Sequence, residues 1–63
     1  MIGIIKDLVD AHKYFTRKGQ TLDAAVIEDT AYALKHHCLR GDIHRVKIIQ
    51  KGVKEYIKMK KAA

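Results

Sequence analysis

The sequence has no proline, no tryptophan and no serine, and a single cysteine, Cys38. Each absence closes off a class of structure or chemistry. Without proline, no helix is forced to break, and long helical segments are open to the chain. One cysteine cannot close an internal disulfide. With no targeting segment in view, it fits a reducing, cytoplasmic setting. Without serine the commonest hydroxyl nucleophile is missing. Cys38 has His37 next to it in sequence, but adjacent helical residues point about 100° apart, so the imidazole faces away from the thiol. Gly3, Gly19, Gly41 and Gly52 stand singly, which leaves no glycine-rich phosphate loop. No apolar run approaches the ~20 residues of a membrane span. The start, Met1-Ile2-Gly3-Ile4-Ile5-Lys6-Asp7, meets charge too soon for a secretion signal. Acidic residues are scarce as well, 7 against 13 Lys and Arg. Asp7 and Asp10 fall on a polar helix face without the apolar surroundings that raise a carboxyl pKa. A chain of 63 residues also has little room for a ligand pocket of roughly 300 Å³ or more. The expectation is a protein that is not an enzyme and carries no cofactor.

What is present is helical periodicity, punctuated twice. The spacing predicts a first helix over about residues 2–18. Ile4, Ile5, Leu8, Ala11 and Phe15 line one side, and Lys6, Asp10, Lys13 and Arg17 the other. Gly19 follows a basic last turn, as expected of a glycine that closes a helix. A second helix is expected over about 22–40, with Thr21 as N-cap and Asp23 favouring the first turn. Ala24, Ile27, Ala31, Leu34 and Cys38 form its seam. Val26 and Ala33 lie on one side of that seam, and Ala25, Tyr32 and Leu39 on another. A helix apolar on several sides is central in its own domain or shared with a partner. A third helix is expected over about 43–60, capped by Asp42, with Ile43, Val46, Ile49, Val53, Tyr56 and Ile57 as its core stripe and a frayed tail at Lys60-Lys61-Ala62-Ala63. Short linkers at Gly19-Gln20 and Arg40-Gly41 make successive helices neighbours. The fold class is therefore all-α: one small three-helix bundle over residues 1–63, with the second and third helices antiparallel and the first packed across them. The expected core is Ile4, Leu8, Phe15, Ile27, Ala31, Leu34, Cys38, Val46, Ile49, Val53 and Ile57. So small a core is marginal, which makes a homodimer or other homo-oligomer a natural staple.

The net charge of +6 is unevenly spread: +2 over residues 1–20, −1 over 21–41 and +5 over 42–63. In the third helix His44, Lys47, Lys51, Lys54, Lys58 and Lys61 step by three and four, so one face is nearly pure in sign, with Glu55 its only interruption. Such a row suits the phosphate backbone of DNA or RNA. The expected nucleic-acid-binding residues are Lys47, Lys51, Lys54, Lys58 and Lys61, helped by Arg45. Base-specific reading has little support, because no arginine lies on the lysine arc and no aromatic residues interleave it. Two helices joined at Gly41 resemble a helix-turn-helix, but Ile43, His44, Arg45 and Lys47 make a poor base-reading set. A ribbon-helix-helix would need an alternating first segment, which is absent.

The rival expectation is a protein–protein adaptor or inhibitor of the phage type, or an assembly component. It would dock on a partner or a second copy through Val26, Tyr32, Ala33, Leu39, Ile48, Gly52 and Met59, apolar or small positions outside the core stripes. A solvated lysine face is the plain alternative to nucleic-acid contact. His36, His37, Cys38, Asp42 and His44 are the only ligand-like cluster, and the divergence of neighbouring helical side chains argues against a metal site there. His12 falls at the edge of the first helix's apolar side, where a half-buried imidazole with one bonded nitrogen is expected. Neither anchoring in nor spanning of a membrane is expected.

Overall fold

The computed structural model describes residues 2–62, so the chain start at Met1 and the tail residue Ala63 lie outside the described residues. Three helices follow one another: α1 (Ile2–Arg17), α2 (Thr21–Leu39) and α3 (Ile43–Ala62). No strand occurs among the described residues. α2 is the central helix: α1 and α3 both pack on it and touch one another less. The architecture is a small all-α three-helix bundle.

The two turns are built alike, and glycine explains why. Gly19 and Gly41 have φ of 73° and 74°, a left-handed conformation that side-chain-bearing residues adopt at a cost. Each closes the preceding helix with a reciprocal pair of hydrogen bonds. At the first turn the Gly19 N–H donates to the Thr16 carbonyl at 3.1 Å and the Gln20 N–H to that of Phe15 at 2.8 Å. At the second, Gly41 donates to Cys38 at 3.1 Å and Asp42 to His37 at 3.0 Å. The residue after each glycine then starts the next helix, since the carbonyls of Gln20 and Asp42 accept from the N–H groups of Ala24 and Val46. Asp42 acts as the expected N-cap, its Oδ1 accepting from the Arg45 N–H at 3.2 Å. The N-cap of α2 is Gln20, and not Thr21 as the hydroxyl suggested. The glycine closure leaves only one residue before α2 begins. α3 continues to Ala62, two residues past the expected end, and of the tail expected to fray Ala63 lies outside the described residues.

Phe15 and Ile27 are fully buried at the centre, surrounded by Ile4, Leu8, Ala11, Ala24, Leu34, Val46 and Val53. Tyr14, Ile49, Tyr56 and Ile57 pack partly buried against them. Two residues of the expected core are exposed, and so is Ile43 of the α3 stripe. Ala31 and Cys38 belong to the α2 seam, yet both stand open to solvent. α1 and α3 cover the Ala24–Ile27–Leu34 stripe, and no third neighbour covers the remainder. Ile43 is 66% exposed because it opens α3 at the end of the bundle, beside the exposed Cys38.

Candidate functional site

The lysine face is set by one capped helix. Asp42 fixes the start of α3 and also binds Arg45 through its side chain, Nε to Oδ2 at 3.2 Å. From there the 3.6-residue period places Lys47, Lys51, Lys54 and Lys58 on one outward face. All four are exposed, and among the described residues none makes an ion pair or ring contact. At about 1.5 Å per residue the row spans roughly 16 Å along the helix, close to five base-pair rises of a duplex.

The other two expected members are engaged within the chain. Arg45 is tied to its own cap. Lys61 turns toward α1 and lies 4.9 Å from the centroid of the Tyr14 ring, which Lys18 approaches at 5.8 Å. Tyr14 is itself edge-on to the buried Phe15, with centroids 5.4 Å apart. Lys61 thus helps hold the end of α3 against α1.

The acidic residues of α1 are the part of the site that periodicity alone did not show. Asp7 and Asp10 line a groove of about 240 Å³ together with Lys54, Ile57, Lys58 and Lys61. Two carboxylates therefore border the C-terminal half of the lysine row. His44, Lys47 and Lys51 lie outside that groove, away from these two carboxylates.

Asp23, entered above only as a helix-dipole residue, joins three groups. Its Oδ1 accepts the Tyr56 hydroxyl at 2.5 Å, its Oδ2 accepts the Gln20 amide at 3.1 Å, and Lys60 Nζ stands 3.9 Å away. Lys60 also lies 5.6 Å from the Tyr56 ring centroid. This cluster ties the start of α2 to the end of α3 and shows the two helices to be antiparallel. The hydrogen bond to Asp23 raises the Tyr56 pKa above its ordinary value of 10.0, with burial and the carboxylate charge adding in the same direction.

Neither a protein-family model, nor a curated protein, nor a solved structure matches this chain.

The apolar positions expected at a partner surface divide between two faces. Val26 and Ala33 on α2, with Ile48, Gly52 and Met59 on α3, fall on the outer side of the α2–α3 seam by helical position. Tyr32 and Leu39 point elsewhere on α2. Leu39 is 78% exposed and forms one wall of a groove between α1 and α2. That groove, about 460 Å³, is lined by Ile5, Leu8, Val9, Ala31, Leu34, Cys38 and Leu39, with Lys35 at its rim. It continues past Ala31 to Ile27, Glu28 and His12. The small size of the chain therefore did not preclude a space of this volume. Ile5 and Val9, 53% and 47% exposed, form the α1 wall. His12 is half-buried at the far end, its Nε2 3.9 Å from Glu28 Oε2, an ion-pair distance too long for a hydrogen bond. Among the described residues, no three His, Cys, Asp or Glu side chains converge to hold a metal ion. His36 and His37 instead meet edge to face with centroids 5.4 Å apart. Among the described residues, no helix is long and apolar enough to cross a membrane.

Proposed function

We propose that the chain acts by binding and not by catalysis, as a small accessory protein that grips the phosphate backbone of a nucleic acid through α3. The observation that carries this reading is the row of Lys47, Lys51, Lys54 and Lys58, exposed, on one face, and without internal partners among the described residues. A row of ammonium groups with no base-reading arginine recognises charge and helical shape, not sequence. Arg45 and Lys61, both engaged within the chain, play a secondary part. Asp7 and Asp10 moderate the affinity from the side.

Fluorescence anisotropy of a labelled duplex of about 20 base pairs and of an RNA hairpin, titrated at low salt, tests the reading. Both ligands are expected to bind, and Lys51→Glu with Lys54→Glu is expected to abolish most of the affinity. Charge reversal that leaves binding unchanged would remove α3 from the interface. Absence of binding by the parent protein would leave the lysines as a solvated face.

A further inference from the structure

The groove between α1 and α2 exposes Ile5, Val9 and Leu39 around Ala31 on the flank of α2 opposite to α3. We propose that its occupant is a second copy of the chain, with the two α2 helices crossing antiparallel at Ala31 about a two-fold axis. Three observations select that occupant. The first is charge. Glu28 precedes Ala31 by three residues and Lys35 follows it by four, so all three share one helix face. A two-fold axis at Ala31 lays Glu28 of each copy beside Lys35 of the other, and the face is complementary to itself. Lys35 has no partner within its own chain among the described residues, and Glu28 reaches only His12, at 3.9 Å.

The second observation is the charge distribution of the chain. Residues 21–41 carry −1 and residues 42–63 carry +5. Two copies meeting through α2 keep their lysine rows apart, whereas contact through the lysine face of α3 sets the rows against each other. The third is the size of the side chain at the crossing. Ala31 is a seam residue left exposed, and its methyl lets two helices come to the near end of the usual 8–10 Å packing distance. Burying Ile5, Val9 and Leu39 there would also supply the apolar contact that so small a domain lacks by itself. The inference does not rest on nucleic-acid binding, and each stands or falls alone.

Sedimentation equilibrium of the parent protein, Lys35→Glu, and the exchanged pair Glu28→Lys with Lys35→Glu tests it, with far-UV circular dichroism confirming that each variant is helical. The expected result is a dimer for the parent, association weakened roughly tenfold or more by Lys35→Glu, where four acidic groups meet, and recovery in the exchanged pair. A second measurement does not depend on charge: Ala31→Cys in a Cys38→Ala background is expected to form an interchain disulfide in an oxidising glutathione buffer. A parent protein monomeric at millimolar concentration overturns the proposal. So does a dimer indifferent to Lys35→Glu, a pair that fails to recover, or an Ala31→Cys chain that does not cross-link.

Discussion

Asp23 is 15% exposed and shared by donors from two places, the Gln20 amide beside it and the Tyr56 hydroxyl and Lys60 ammonium from the end of α3. Tyr56 holds its proton more firmly for donating it to Asp23. The raised tyrosine pKa stabilises the fold fully at pH values below the unfolded value near 10, and that contribution is lost as pH rises through the higher folded value. The alkaline absorbance change that disappears in Tyr56→Phe should therefore have its midpoint above 10. A midpoint at or below 10 would mean that the hydrogen bond is not held in solution. The same substitution is expected to lower stability by about 1 kcal/mol, measured by urea denaturation at neutral pH. Periodicity placed Tyr56 on the core stripe and Asp23 in the first turn of α2, but their pairing was hidden because it joins residues far apart in sequence. The same is true of Lys61 and Tyr14. Arg45 differs: its spacing of three from Asp42 marks the ion pair in the sequence itself.

At the scale of the element, the turns and caps follow from two glycines. Gly41→Ala keeps the open space around that position but forces a methyl-bearing residue to a φ of 74°. The expected cost is about 1 kcal/mol, read as a lower denaturation midpoint with unchanged slope. No loss would mean that the turn adopts another closure. The three helices were legible because no proline interrupts the 3.6-residue pattern and a glycine follows each of the first two. The N-cap of α2 was misplaced because Thr21 is the better capping residue by type. Position overrides type here: the residue directly after the closing glycine starts the helix, in Gln20 as in Asp42. The α2 seam misled in another way. Ala31 and Cys38 have core spacing, but spacing marks an apolar face without saying whether the chain itself covers it.

At the scale of the molecule, charge is segregated. α2 carries a slight negative excess, α3 carries most of the positive one, and Asp7 and Asp10 stand beside the far end of the lysine row. The lysine face was legible as a period of like charges on one helix. Its acidic border was not, because it arises only when α1 packs alongside α3. If the border moderates binding, Asp7→Asn with Asp10→Asn should raise duplex affinity several-fold at low salt, an effect that fades as salt screens the field. Unchanged affinity would show that a bound duplex lies clear of α1.

The most direct measurement is the salt dependence of duplex affinity for the parent chain and for single Lys→Gln variants at 47, 51, 54 and 58. Four phosphate contacts give a slope of log K against log salt of roughly −3 to −4, and each substitution should reduce it by about one. A slope near zero, or one that all four substitutions leave intact, would contradict a phosphate-binding face on α3.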